Sequence, residues 1–340
     1  MTLSQLTAER QVAVRAVRDA ARTCRAIREA FRPDQAETKS DSSPVTVADY
    51  ASQALISLAL AEAFPDDSIM GEETAASLLD QPAGPLAAAV VEHVGGVRPD
   101  ADLERICWAL DRCGHAGGTE GRHWTLDPVD GTKGFLRNQQ YAVALALIEA
   151  GQVVLGVLAC PNLPADPANP ASSIGSLFVA ERGGGAWQLP LDAGGDDDSF
   201  SAKSGRRIRV ADISEPSQAS YVESYESAHS SHDHASEIAE ALGITRPSRR
   251  MDSQTKYAVV ARGEAEIYLR LPNGSWVEQV WDHAAGSLLV TEAGGRVSDV
   301  RGDALDFSAG RRLERNRGVV VAPAAIHAEV LAATARVLEG

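Results

Sequence analysis

Cationic side chains are in short supply in this chain. Its 340 residues carry 32 Lys and Arg against 47 Asp and Glu, a formal net charge of −15. Non-specific affinity for a polyanion comes chiefly from Lys and Arg neutralising phosphates, so this balance argues against broad nucleic-acid binding. A small anionic ligand stays compatible with it, provided that a local cationic pocket or bound metal ions receive the charge. Long apolar runs are missing as well. None approaches the ~20 residues of a membrane helix, and the most apolar stretch, 141–161, is broken by Glu149, Gly151 and Gln152. No membrane partner is expected. Cysteine is sparse: Cys24, Cys107, Cys113 and Cys160 are scattered, with no C-x-x-C pair, so neither a disulfide framework nor a zinc site is indicated. The first thirty residues hold no continuous apolar segment with a small-residue cleavage site. No export signal, and a reducing cytoplasm, are therefore the expectation. Gly183-Gly-Gly185 is not followed by Gly-Lys-Ser/Thr, which argues against a nucleotide P-loop.

What remains is ordinary for a globular protein, with 44% hydrophobic and 23% charged residues and enough length for two packed units. The polar Gly/Asp/Ser-rich stretch 192–205 is the expected boundary, dividing an α+β unit, 1–195, from an α/β unit, 206–340. Val14, Val17, Ala20, Cys24, Ile27 and Phe31 recur at helical spacing. Between them Arg15, Arg18, Arg22, Arg25 and Arg28 read as a solvated face. A second helix over 51–64 has Asp49 at its start, and 68–73 reads as a short strand ending in Glu72 and Glu73. Helices are expected near 84–94 and 99–112. Alternating segments at 141–149, 152–160, 175–182 and 185–189 predict an antiparallel meander. Beyond it, strands and helices alternate as in an α/β layer packed on that meander.

The most informative stretch is Trp124-Thr-Leu-Asp-Pro-Val-Asp-Gly-Thr-Lys-Gly-Phe135. Two carboxylates, a carbonyl, a glycine and a hydroxyl within six residues suit hard cations and phosphate, since magnesium is usually held by one or two carboxylates plus substrate phosphate. Pro128 fixes one dihedral and removes a donor, so the turn can aim Asp127, Asp130 and the Val129 carbonyl at one point. Asp, Pro and Gly are also common turn formers, and the same residues are compatible with an ordinary surface turn. Asp282, in Trp281-Asp-His-Ala-Ala-Gly286, sits where a helix N-cap would accept a backbone N–H. A carboxylate has two oxygens and can cap and ligate together. Glu72, Asp127, Asp130 and Asp282 all lie near element ends, where they could converge.

Gly71-Glu-Glu73, Asp127-Pro-Val-Asp-Gly-Thr132 and Trp281-Asp-His-Ala-Ala-Gly286 follow in the order found in the lithium-sensitive, magnesium-dependent phosphatases similar to inositol monophosphatase. Within that superfamily the chain most resembles the 3′(2′),5′-bisphosphate nucleotidases. The resemblance extends through Ser43-Pro-Val-Thr46 with Asp49-Tyr50, Thr132-Lys-Gly-Phe-Leu-Arg137, His229-Ser-Ser-His-Asp233, Asp252-Ser-Gln-Thr-Lys-Tyr257 and Tyr268-Leu-Arg-Leu-Pro272. It covers nearly the whole chain and is weakest across 75–122 and 192–205.

The resemblance implies a layered αβαβα sandwich of the inositol monophosphatase type and a site for two Mg2+ ions, or three. Glu72, Asp127 and the Val129 carbonyl would hold one ion, with Asp127, Asp130 and Asp282 holding another. It further implies a nucleophile dyad of Asp49 and Thr132, with the amides of Gly131 and Thr132 on phosphate oxygens. His229, Ser253, Lys256 and Arg270 match positions that contact the nucleoside and the non-reacting 5′-phosphate. The implied reaction is hydrolysis of the 3′-phosphate of adenosine 3′,5′-bisphosphate (PAP) to AMP, with its sulfated analogue (PAPS) as a further substrate. An inositol polyphosphate 1-phosphatase or broader sugar phosphatase would use the same metals. A catalytically silent nucleotide-binding regulator would not need the dyad.

Overall fold

The computed structural model describes residues 6–30, 37–38, 44–45, 47–171, 173–192, 200, 205–225, 232–272, 274 and 276–339. The apolar period of the first segment produces helix α1 (Thr7–Ala30), whose Ala13, Val14, Val17, Ala20, Ala21, Cys24 and Ile27 are buried. It packs on α2 (Val47–Ala63). A short ribbon of β1 (Glu37–Thr38) and β2 (Pro44–Val45) precedes α2.

The arginines expected to form a solvated face do not act alike. Arg15 is exposed, but Arg18 is only 1% exposed. Arg25 reaches Asp192 at 2.6 Å, and Arg28 donates to the Phe135 carbonyl at 2.8 Å. Arginine stems lie along apolar surface while the guanidinium finds acceptors elsewhere in the fold, something the period of one helix does not register.

The first sheet has seven strands: β3 (Ser68–Gly71), β4 (Arg122–Asp130), β5 (Ala142–Glu149), β6 (Gln152–Pro164), β7 (Ile174–Glu181), β8 (Gly185–Pro190) and β9 (Arg206–Ile208). They lie side by side in that order. β3 runs parallel to β4, and the later neighbours are antiparallel. The predicted meander is therefore present, and it extends to residues 206–208. Most of 192–205 lies outside the described residues.

Side-chain alternation gives the sheet two faces. Val143, Leu145 and Leu147 of β5 join the core beneath α1 and α2, whereas Ala142, Ala144 and Ala146 face the opposite core. Burying each large aliphatic side chain is worth about 1.5–3 kcal/mol. The small residues on the other face let a helix approach closely: a Cβ on Gly156 would come within 3.0 Å of the Ala285 carbonyl oxygen. Helices α3 (Ala76–Asp80), α4 (Pro85–Gly95) and α5 (Leu103–Asp111) fill the excursion before β4. With α4, α5 and β4 packed around it, α2 is buried over most of its circumference. The five-residue α6 (Thr132–Leu136) follows β4.

The second sheet holds β10 (Tyr221–Glu223), β11 (Arg249–Arg250), β12 (Ile267–Arg270), β13 (Gly295–Ser298) and β14 (Val319–Pro323). Their order is β11-β10-β12-β14-β13, parallel around β10 and antiparallel around β14. Helices α8 (Thr255–Ala261) and α9 (Ala284–Glu292) lie between the sheets, while α7 (His232–Ala241) and α10 (His327–Glu339) cover the outer face. The layers therefore run αβαβα, as expected. No helix among the described residues is long and apolar enough to cross a membrane.

Candidate active site

The Asp127–Asp130 segment forms the end of β4, with a register shift against β5 between those two residues. Pro128 has no N–H for the ladder, so pairing breaks and the strand bulges. The stretch expected as a metal-binding turn is, in the fold, the irregular end of β4, a strand paired on both sides. Ser52 of α2 pins the bulge by donating to the Pro128 carbonyl at 2.8 Å. Gly131 then adopts φ 84°, which a side chain would resist, and Thr132 opens α6. The Thr132 hydroxyl donates to the Val129 carbonyl at 3.2 Å. The Val129 side chain itself is buried in the α1/α2 core.

Asp127 is 3% exposed, and its Oδ1 has no hydrogen-bond partner among the described residues. Burial, followed by the charges of Glu72, Asp130, Asp282 and Asp49, holds its carboxyl well above the usual range. The four carboxylates named with it, gathered from three distant motifs and from α2, thus act on one point. Burial raises Asp130 too, against Lys256, the Gln254 N–H and Arg270. Asp282 is held well above the usual range by burial, and Arg270 opposes that shift. Mutually repelling carboxylates around an unpartnered buried oxygen are a donor set that fits a hard divalent cation.

Neighbouring elements fix these groups. Gln53 donates to the Glu73 carbonyl at 2.7 Å and accepts from the Glu73 N–H at 2.9 Å, clamping the end of β3 onto α2 beside exposed Glu72. Gln254 donates its backbone N–H to Asp130 Oδ2 at 2.5 Å. Its side chain donates to the Trp281 carbonyl at 2.9 Å and accepts from the Gly286 N–H at 3.0 Å. Asp130 and the Asp282 turn are therefore tied through one residue. Asp282 lies in the turn before α9 rather than within it, and His283 occupies the N-cap position without a side-chain capping bond. The N-cap place expected for Asp282 therefore falls to His283, and the helix starts at Ala284.

Among the residues expected to bind substrate, Ser253 is buried in the left-handed region at φ 68°, and a Cβ on Gly131 would meet its side chain at 3.0 Å. Its Oγ also accepts from the Thr255 N–H at 3.1 Å, supporting the start of α8. Lys256 is 2% exposed, donates to the Met251 carbonyl at 3.3 Å and lies 5.3 Å from the Tyr268 ring centre. Burial lowers its pKa to about 8, against the pull of Asp130. Arg270 pairs with Glu278 at 2.6 Å and stands 3.8 Å from Asp282. His229 lies outside the described residues.

Glu278, Asp282 and His283 also bring ligand atoms within 4.8 Å of one another. That group is already occupied. Arg270 bonds Glu278 and stands 3.8 Å from Asp282, and His283 is placed between Glu278 at 3.3 Å and the Tyr257 hydroxyl at 2.7 Å. Burial lowers the His283 pKa against the pull of Glu278; in the neutral ring Nε2–H donates to Glu278, a carboxylate that only accepts, and Nδ1 accepts from the Tyr257 hydroxyl. Burial alone would raise Glu278, but Arg270 and His283 drive it well below the usual carboxylate range. Gln53, Gln254 and Glu278 were not singled out from the sequence. Gln254 does lie inside the Asp252–Tyr257 motif, and Glu278 stands four residues before Asp282.

Comparison with known proteins agrees with this architecture. A model of the inositol monophosphatase family matches residues 7–339. A 3′(2′),5′-bisphosphate nucleotidase from Oryza sativa is 44% identical over 326 residues, covering 92% of this chain and 89% of the relative. One of the same name from Schizosaccharomyces pombe is 40% identical over 344 residues, covering 97% and 96%. An inositol monophosphatase structure from Anabaena superposes with a TM-score of 0.62 at 21% identity, covering 98% of this chain and 97% of that one, and shows the shared fold. The chain belongs to the inositol monophosphatase family, among relatives named 3′(2′),5′-bisphosphate nucleotidase.

Proposed function

We propose that the chain is a magnesium-dependent phosphatase that hydrolyses the 3′-phosphate of PAP to AMP and phosphate, and that PAPS is a second substrate. The observation that carries this reading is the unpartnered Oδ1 of Asp127, set among Glu72, Asp130, Asp282 and Asp49, with Lys256 and Arg270 acting on the same carboxylates. Such a set takes cations on one side and an anion against the other.

Glu72, Asp127, the Val129 carbonyl, Asp130 and Asp282 would hold two magnesium ions, or three. When bound, these ions polarise the phosphoryl group and acidify a water molecule. The Thr132 hydroxyl and Asp49 would then orient that water and take its proton. The amides of Gly131 and Thr132 would hold phosphate oxygens. His229, Ser253, Lys256 and Arg270 would take the nucleoside and the 5′-phosphate, Arg270 being suited by its planar fork of donors.

The test is phosphate release from PAP, PAPS, inositol 1,4-bisphosphate, inositol 1-phosphate and fructose 1,6-bisphosphate, each with and without magnesium. Magnesium-dependent preference for the two nucleotides is expected. Preference for an inositol phosphate would replace the nucleotidase reading, and no turnover of any substrate would favour a silent regulator.

A further inference from the structure

Arg311 belongs to none of the motifs above, yet it touches the elements that carry two of them. It follows Gly310 in a segment paired with the approach to the Asp282 turn: the Val280 N–H donates to the Arg311 carbonyl at 3.0 Å, the Leu313 N–H donates to the Glu278 carbonyl at 2.9 Å, and Gln279 bridges Arg312. The Arg311 side chain then spans to β3. Nη2 donates to the Gly71 carbonyl at 2.5 Å and Nη1 to the His115 carbonyl at 2.9 Å. Its guanidinium carbon lies 4.7 Å from the Trp281 ring centre. Gly71 immediately precedes Glu72, and Trp281 immediately precedes Asp282.

Each of these contacts has a physical consequence. The Gly71 carbonyl lies at the end of β3, where the strand runs out, and the guanidinium supplies a donor there. A planar guanidinium can donate in its plane and stack on an aromatic face together, which an ammonium cannot do equally well. The seam is tight: a Cβ on Gly117 would come within 2.7 Å of the Gly310 carbonyl oxygen. Little room exists for the 310–313 segment to shift without moving the 113–117 loop, which is itself bonded to β3 through Gly71 N–H to Cys113 and His115 N–H to Ile69.

We propose that Arg311 is a positioning residue that sets the separation of Glu72 and Asp282, and thereby the affinity of the magnesium site. This rests on the metal reading above. Arg311 acts through the Gly71 carbonyl and the Trp281 ring, each one residue before a carboxylate, and takes no part in the reaction. Its role is to hold the β3 end and the Trp281 turn in one rigid unit, so that two ligands from distant parts of the chain are presented with their spacing already fixed. Residues that support metal ligands in this way typically alter affinity by about 10–100-fold.

The experiment compares the full chain with Arg311→Met, which keeps length and apolar contact with Trp281 but donates no hydrogen bond, and with Arg311→Lys, which keeps the charge and can reach one carbonyl. Two titrations with Mg2+ are read: the rise in melting temperature without substrate, and phosphate release from PAP. In Arg311→Met the magnesium half-saturation should rise by about tenfold or more in both, with turnover at saturating magnesium within about threefold of the wild type. Arg311→Lys should fall between the two. If Arg311→Met does not fold, a raised half-saturation in Arg311→Lys supports the proposal and an unchanged one overturns it. A lower metal-free melting temperature with unchanged half-saturation would show a purely structural brace and overturn it. If the wild-type melting temperature itself ignored Mg2+, the metal reading would fall and take this inference with it.

Discussion

Arg270 stands 2.6 Å from Glu278 and 3.8 Å from Asp282, so a carboxylate outside the expected ligand set holds this guanidinium off one inside it. His283 and Tyr257 in turn hold Glu278 in place. Glu278→Gln removes the charge that competes with Asp282 for Arg270. The guanidinium should then move onto Asp282 and raise the magnesium half-saturation several-fold. Stability should fall by about 2 kcal/mol, because the buried Arg270–Glu278 pair is broken and only partly replaced by Asp282. Magnesium titration of activity and urea denaturation check the two parts.

Gln254 is the only described residue seen to bond Asp130, the Trp281 carbonyl and the Gly286 N–H together. Gln254→Leu keeps the backbone bond to Asp130 but leaves a buried carbonyl and a buried N–H without partners, each costing about 1–3 kcal/mol. Urea denaturation should show a loss of about 2 kcal/mol or more. Turnover should fall at least about tenfold, because misplacing a site group by about 1 Å can cost far more than that.

Ser253 at φ 68° separates backbone strain from side-chain function. Both Ser253→Ala and Ser253→Gly lose the hydroxyl, but only glycine adopts the left-handed conformation without penalty, a difference of about 1 kcal/mol or more in favour of the glycine variant. Both should raise KM for PAP to a similar extent, since the hydroxyl is missing from both. A KM that followed stability instead would show that Ser253 acts only through the backbone.

His123 is 1% exposed on β4, and both of its ring nitrogens lack partners among the described residues. Burial, with the His115 ring 4.7 Å away and tilted by 37°, lowers its pKa to about 4. The folded pKa lies below the unfolded value of 6.5, so the unfolded chain binds the proton more readily. The stability associated with neutral His123 is complete above pH 6.5 and is lost as pH falls towards 4. For the full interval this amounts to about 3 kcal/mol. Urea midpoints from pH 7.5 to 4.5 should therefore fall less steeply in His123→Leu than in the wild type.

Much of this molecule is legible in its sequence because local period and local chemistry dictate it. The β5 alternation, the apolar stripe of α1 and the antiparallel meander all follow from spacing alone. That the carboxylates stand beside Pro, Gly and turn residues is visible in the sequence too, whereas their grouping into one ligand set is what the family resemblance implies. What escaped is contact over distance. Arg311 meets the carbonyl of Gly71, 240 positions away, and Gln254 meets that of Trp281, 27 away. A side chain that bonds a carbonyl leaves no mark on the residue type carrying it. The bulge at Pro128 and the late start of α9 were missed for a related reason: strand pairing and helix termini are decided by the partners packed against them.

The central claim is that Asp130 and its neighbours hold magnesium for hydrolysis of a nucleotide 3′-phosphate. The most direct measurement is phosphate release from PAP by the wild type and by Asp130→Asn, with magnesium and with a chelator, beside the metal-free melting temperature of each. Asparagine can still accept the Gln254 N–H bond and relieves repulsion among the buried carboxylates, so the variant should melt no lower than the wild type. Wild-type turnover should require magnesium, and that of the variant should drop by about 1,000-fold or more, the scale on which a single group stabilising the transition state acts. Wild-type rates in Asp130→Asn, or release that persists in chelator, would contradict the account.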